Sequence, residues 1–196
     1  MMSTLVLASN NPGKIAELKA LLPGRDVRPQ GEYFSEEAVE TGHSFIENAL
    51  IKARYAASRT GLPAIADDSG LEVTALQGEP GIFSARYAGR GANDTQNLYK
   101  LLEMMHDVPD GERQASYFCA MVVVRHAQDP TPLIGLGRWH GEILRQPEGS
   151  GGFGYDPVFY LPKWQCTAAQ LSAEVKNQHS HRAQALKALV SQLSVE

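Results

Sequence analysis

The apolar positions of this chain follow two periods, and the switches between them mark its elements. Thr4 to Ala8 (TLVLA) is a short apolar run, followed by the polar turn SNNPGK and then Ile15, Leu18 and Leu22 at helical spacing, which predicts strand, turn and helix. Ser44 followed three residues later by Glu47 has the form of a capping box, and Phe45, Ala49, Ala53 and Ala56 then share one helical face until Gly61. Pro63 to Ala66 and Leu71 to Leu76 are predicted as two short strands flanking the polar knot DDSG. The stretch GEPGIFSARYAGRGAND is glycine-rich and predicts a functional or mobile loop, with Asp94 capping the next helix. Leu98, Leu101, Leu102 and Met105 form that helix's stripe, and VPDG ends it. Ala115 to Val124 is continuously apolar and rich in β-branched and aromatic residues, as expected of a central strand covered on both faces. Leu133 to Trp139 and Gly141 to Leu144 suggest a hairpin, EGSGGFGYDPVF interrupts, and Ser180 caps a last helix with Leu186, Leu189, Val190 and Leu193 on one stripe. The predicted class is α/β with a mixed sheet.

Length and composition narrow the function. A chain of 196 residues fits one domain spanning 1–196, with room for two lobes. With 43% hydrophobic and 20% charged residues it resembles ordinary globular proteins, and no apolar run approaches the ~18 residues of a membrane span. The start, MMSTLVLASNNPGK, has no basic leader and too short an apolar stretch for a signal peptide, so a cytoplasmic protein without a membrane partner is expected. A net charge of -4 offers no basic excess to attract nucleic acid, whereas a small phosphorylated ligand needs only local positive charge. Cys119 and Cys166 lack CxxC spacing, and both are expected to be passive.

Four polar segments hold candidate chemistry. Ser9, Asn10, Asn11, Pro12, Gly13 and Lys14 form a turn at a helix start, where backbone N–H groups, the helix dipole and a lysine suit phosphate. The alternative is simple capping by Asn11 with Pro12 in the first turn, and GxxxxGK[ST] is absent. In IADDSG, with Glu36, Glu37 and Glu40 upstream, adjacent carboxylates suit a hard cation such as Mg²⁺ or a general base, though Asp67 and Asp68 could simply terminate a strand. In GGFGYDPVF, the glycines permit close backbone approach and Phe153 or Tyr155 offers a flat face to a base, unless those rings are core. KNQHSHR places Lys176, His181 and Arg182 at an expected helix start, against the dipole.

Taken in order, SNNPGK, VETGHSFIENALIKA, PAIADDSGLEV, PGIFSARYAG, GGFGYDPVF and SHRAQAL resemble the inosine triphosphate pyrophosphatase family over nearly the whole chain. The likeness is to its bacterial branch, which removes dITP, ITP and XTP. It implies an elongated mixed β-sheet flanked by helices, two lobes with a central active-site cleft, and a homodimer. Ser9 to Lys14 would hold the triphosphate of a purine nucleoside triphosphate. Glu40 and Asp68 would hold Mg²⁺, and Asp68 would also be the general base. Ser69, Phe153, Gly154, Tyr155, Asp156, Lys176, His181 and Arg182 would complete the nucleotide site. Donors from His181 and Arg182 would meet the 6-oxygen of hypoxanthine or xanthine and reject adenine's amino group. Ser9 and Asn10 stand where the family often has Thr and Gly, which leaves the conformation of this turn open. A related pyrophosphatase acting on pyrimidine or modified nucleotides and a non-catalytic nucleotide-binding regulator are the alternatives; the carboxylates at Glu40 and Asp68 argue against the second.

Overall fold

In the computed structural model residues 4–193 are described; the first three residues of the N-terminal segment and the Leu193 side chain lie outside the described residues. The strands are β1 (Leu5–Leu7), β2 (Val27–Pro29), β3 (Ala64–Val73), β4 (Gln114–Val124), β5 (Leu133–Ile143), β6 (Phe159–Leu161) and β7 (Cys166–Thr167). The helices are α1 (Pro12–Leu21), α2 (Phe45–Thr60), α3 (Asp94–Met104), α4 (Ala173–His179) and α5 (His181–Leu193). Among the described residues the sheet order is β2-β1-β3-β4-β5-β6-β7. β1 lies parallel to β2 and β3, while β6 is antiparallel to β5 and β7, so the sheet is mixed as expected. The apolar run at Ala115 to Val124 falls in its middle strand and is buried almost throughout.

The chain forms two compact units: Met1–Asp68 with Cys119–Gly137 and His181–Glu196, and Ser69–Phe118 with Arg138–Ser180. Each has its own core. In the first, Leu5, Leu7, Leu18, Ile65, Met121, Leu186 and Leu189 pack together. In the second, Leu71, Leu98, Leu101, Met105, Trp139, Phe159 and Leu161 do so.

Several local expectations are met. Ser44 accepts from the Glu47 amide while the Glu47 carboxylate accepts from the His43 amide, so α2 starts where the capping pattern placed it. It ends at Gly61, whose φ of 69° is readily reached without a side chain.

The structure corrects five others. DDSG does not break a strand, because β3 runs continuously through it; ion pairs to both aspartates remove the usual objection to buried carboxylates there. Leu133 to Ile143 is likewise one strand and not a hairpin, with Gly135 and Gly137 inside it because α5 rests on its backbone. A Cβ would stand 2.0 Å from the Ala185 carbonyl at Gly135 and 2.0 Å from that of His181 at Gly137. The glycine-rich stretch around residue 83 is folded, with a 3-10 helix at Gly81–Arg86 anchored through Ser84, whose hydroxyl accepts from the Leu71 amide at 2.9 Å. Asn93, one residue ahead of Asp94, caps α3 in a capping box with Gln96. Finally, KNQHSHR straddles two helices: Lys176 and His179 lie in the last turn of α4, where they complement the dipole, and only His181 and Arg182 begin α5. On the α5 stripe Leu186 and Leu189 are buried, while Val190 is exposed.

Candidate active site

The phosphate-loop candidate lies at the end of β1. Leu7 pairs with Ile65, and the Ala8 amide donates to the Ile65 carbonyl at 2.8 Å. Asp67 and Asp68 therefore continue β3 past the last paired residue of β1, toward the turn that opens α1. Open α/β sheets place ligands outside the carboxyl ends of their strands in this way. The turn is internally braced: the Asn11 amide donates to the Ser9 hydroxyl at 3.1 Å, and the Asn11 side chain accepts from the Lys14 amide at 3.1 Å. Asn11 is the N-cap and Pro12 occupies the first turn, so the capping reading is correct. Asn10 does not disturb the turn; its amide donates outward to Glu37 at 3.3 Å. The Lys14 ammonium lies 3.0 Å from Asp67 Oδ2.

Successive residues of a strand face opposite sides of its sheet, so Asp67 and Asp68 have different surroundings. Asp67 meets Lys14 of α1 and Arg182 of α5, whose Nε is 3.1 Å away, while Arg182 Nη1 is 2.7 Å from Glu17. Burial opposes ionisation of Asp67, but the Lys14 and Arg182 charges outweigh it and hold the carboxyl well below the usual range. Arg182 is itself buried, yet those carboxylates raise its already high pKa. The guanidinium expected to read a base thus has two nitrogens committed to carboxylates.

Asp68 meets Lys52 of α2, with Nζ 3.1 Å from Oδ1, and the same ammonium lies 3.0 Å from Glu40. Here burial wins: it pushes the Asp68 carboxyl up, Glu40 adds to the rise, and Lys52 and Lys14 offset only part of it. Burial disfavours the Lys52 ammonium, but Asp68, Asp67 and Glu40 together raise its pKa. Asp68 Oδ2 is buried with no hydrogen-bond partner among the described residues.

Two carboxylates bridged by one ammonium suit a cation. Glu40 and Asp68 together with the unengaged Oδ2 supply hard oxygen ligands of the kind Mg²⁺ takes. Among the described residues no group of three His, Cys, Asp or Glu side chains converges, so further ligands would be water and substrate phosphate.

The second unit holds a separate constellation around Asp156, which is 4% exposed. Asp156 Oδ1 accepts from the Tyr117 hydroxyl at 3.2 Å; Oδ2 accepts from Lys176 at 2.7 Å and from the Phe153 amide at 3.0 Å. The Lys176 ammonium stands 5.3 Å from the centre of the Phe153 ring, within cation–π range. Gly152 has φ 71°, and a Cβ there would lie 2.1 Å from Asp156 Oδ2, so only glycine fits. The Gly154 amide donates to Asp94 at 2.8 Å. Tyr155, one of the two flat faces expected for a base, is a core residue whose hydroxyl donates to the Ser84 carbonyl at 2.7 Å. Phe153 is the half-buried ring of the pair.

Of the expected site residues, Ser9 to Lys14, Glu40, Asp68, His181 and Arg182 belong to the first unit, and Ser69, Phe153 to Asp156 and Lys176 to the second. The sequence reading missed Lys52 and Glu17, and it named Asp67 as one of an adjacent carboxylate pair without the ion pairs to Lys14 and Arg182. Lys52 had a faint signal, since it follows Asn48 by four residues and lies beside the small apolar face of Ala49, Ala53 and Ala56. Glu17 had none; its role appears only when α1 and α5 come together.

The family model for the Ham1 family matches residues 5–192. A dITP/XTP pyrophosphatase of Photorhabdus laumondii is 57% identical over 194 residues, covering 98% of this chain and 98% of that protein. The dITP/XTP pyrophosphatase of Escherichia coli O157:H7 is 56% identical, again with 98% of each covered. The structure of a HAM1 protein from Coxiella burnetii matches with a TM-score of 0.91 at 48% identity, with 100% of each chain covered. The Staphylococcus aureus Ham1 protein matches with a TM-score of 0.86 at 43% identity, covering 97% of this chain and 98% of that one. Agreement in sequence and in fold over nearly its whole length makes this chain a member of the Ham1 family.

Proposed function

We propose that this protein hydrolyses abnormal purine nucleoside triphosphates, dITP, ITP and XTP, to the monophosphate and pyrophosphate, removing them from the nucleotide pool with Mg²⁺ as cofactor. The observation that supports it most is Asp68, a buried carboxylate with a raised pKa, one oxygen on Lys52 and the other without a hydrogen-bond partner among the described residues. A group so placed can take a proton, and its environment moves its pKa toward working pH.

In this reading the α1 turn and Lys14 receive the triphosphate, with Lys14 exchanging Asp67 for phosphate oxygens. Asp68 orients a water and takes its proton as the water oxygen bonds to the α-phosphorus. The bond from that phosphorus to the bridging oxygen breaks, and pyrophosphate carries away the electron pair. Glu40 and Asp68 would hold Mg²⁺, which supplies charge neutralisation at the phosphates when bound. Before a cation binds, Lys52 holds the two carboxylates together and limits their mutual repulsion. Phe153, Asp156 and Lys176 offer a ring, a fixed acceptor and a cation, a set suited to a purine. Arg182, braced by Asp67 and Glu17, and His181 remain the candidates for recognising the 6-oxygen.

The reading extends to a cytoplasmic homodimer with neither membrane nor nucleic acid as partner. Among the described residues no helix is long and apolar enough to cross a membrane. Sedimentation tests the dimer. The activity is tested by incubating purine and pyrimidine triphosphates with the protein and Mg²⁺ in ¹⁸O-water. Monophosphate and pyrophosphate from dITP, ITP and XTP are expected, with the label in the monophosphate. Orthophosphate release, label in the pyrophosphate, or a preference for pyrimidines would reject the reading.

A further inference from the structure

Asn48 is 1% exposed and sits one helical turn before Lys52 on α2. Its Oδ1 accepts from the Gly42 amide at 2.9 Å. That contact fixes the amide's orientation, because the reversed rotamer would set NH₂ against N–H. Nδ2 is then turned away from Gly42, and it is buried with no hydrogen-bond partner among the described residues. A residue serving only to fill space would avoid an unpaired buried donor. Gly42 is pressed so closely on α2 that a Cβ would stand 2.6 Å from Glu47 Cβ and 2.7 Å from Asn48 Oδ1. Glu40 is two residues before Gly42, and its carboxylate is held by Lys52 at 3.0 Å. Helix α2 thus grips the same short segment twice, at the Gly42 backbone through Asn48 and at the Glu40 side chain through Lys52.

We propose that Asn48 is a positioning residue for the cation site, fixing Glu40 through the Gly42 amide so that its carboxylate keeps its place when a divalent cation displaces Lys52. The proposal rests on the assignment of Glu40 and Asp68 as cation ligands. Lys52 grips the Glu40 carboxylate itself, so a cation bound to that carboxylate competes with it. The Asn48 contact is neutral and made to backbone, so it survives the exchange.

The test is a double-mutant cycle read by Mn²⁺ binding, using the electron paramagnetic resonance signal of free Mn²⁺ over the intact protein, with the Mg²⁺ dependence of turnover as a second readout. Asn48→Ala is expected to weaken Mn²⁺ about 5- to 10-fold, the scale of one buried hydrogen bond. Gly42→Ala, which forces the segment off α2, is expected to do the same and serves if Asn48→Ala does not fold. Asn48→Asp keeps an acceptor for the Gly42 amide and is expected to bind Mn²⁺ at least as tightly as the parent. In a Glu40→Gln background Asn48→Ala should add nothing, because its effect runs through Glu40. Additive losses, equal weakening by Asn48→Ala and Asn48→Asp, or unchanged Mn²⁺ affinity in Asn48→Ala while Glu40→Gln weakens it would each overturn the proposal and leave the cation site standing. Unchanged affinity in Glu40→Gln would remove the cation assignment, and the proposal with it.

Discussion

Asp67→Asn isolates the charge of one buried carboxylate at almost no change in volume. In the parent, Asp67 Oδ2 lies 3.0 Å from the Lys14 ammonium and 3.1 Å from Arg182 Nε, with the side chain 2% exposed. At an effective dielectric of about 20, each unit pair at that distance attracts by roughly 5 kcal/mol, and dehydration of the carboxylate offsets much of the sum. Both cations contact Oδ2, so asparagine can turn its carbonyl oxygen toward them, but the negative charge is gone and Arg182 keeps only its pair with Glu17 among those described above. Breaking a buried pair in this way costs about 3 to 5 kcal/mol. At ~2 to 4 °C per kcal/mol for a chain of this size, Tm should fall by about 6 to 20 °C. Urea unfolding at several pH values is the assay. Because the folded pKa of Asp67 is held below its ordinary 3.8, its contribution is complete above that pH and is lost as pH falls from there toward the lower folded value. The gap between parent and variant should therefore be widest near neutrality and narrow below about pH 4. A neutral-pH gap under about 1 kcal/mol, the size of an exposed pair, would refute the account of Asp67 as a buried charge hub.

Asp68→Asn removes the proposed base while relieving a buried carboxyl, so turnover should fall at least ~10²-fold with Tm unchanged or higher; near-normal turnover in the folded variant would remove Asp68 from the chemistry. Since burial raises the Asp68 pKa and the base must be ionised, kcat should rise with pH along a limb centred above the ordinary carboxyl value of 3.8. Lys52→Met takes away a charge that lowers this pKa and should move the limb further up, whereas a limb moving down would contradict the pairing. Gly137→Ala would push a methyl to 2.0 Å from the His181 carbonyl and should destabilise by about 1 to 3 kcal/mol or more in urea unfolding; a change within ~0.5 kcal/mol would show that α5 does not rest on the β5 backbone.

Much of the fold was legible because periodicity and capping are local. The α2 boundaries follow from Ser44, Glu47 and Gly61, and the position of β4 follows from its uninterrupted apolar run. The errors share a cause. DDSG and the point between Trp139 and Gly141 in β5 read as breaks because propensity penalises charge and glycine inside strands. What overrides it is tertiary: Lys14, Arg182 and Lys52 neutralise the aspartates, and β6 packs so closely on Gly141 that a Cβ there would meet the Tyr160 carbonyl and the Phe159 ring. For the candidate site, motif order singled out Asp68, Glu40 and Lys14 as candidates, but it could not distinguish Tyr155 from Phe153. Whether a ring is core or half-buried depends on what packs over it, here the Ser84 carbonyl and the second unit's core around Tyr155.

The adjacent carboxylates show how such a site is divided by strand geometry. Two neighbouring aspartates on a flexible loop would share a solvent shell and titrate together. Inside β3 the side-chain period of two sends them to opposite faces, and each face has its own helices and cations. Among the described residues Asp67 is ion-paired with Lys14 and Arg182, which favour its ionised state; Asp68 is paired with Lys52, which it shares with Glu40, and its Oδ2 has no hydrogen-bond partner. Pairs of groups whose surroundings push their pKa values apart are how one site separates a permanent charge from a proton acceptor. The two aspartates are therefore not interchangeable, although either alone satisfies a motif. A register slip of one residue in β3 would turn each aspartate to the opposite face of the sheet, so that neither kept its present ion pairs. The register is set by the parallel pairing of Val6 with Ala64 and Leu7 with Ile65, four buried apolar residues that thereby fix which face each aspartate takes.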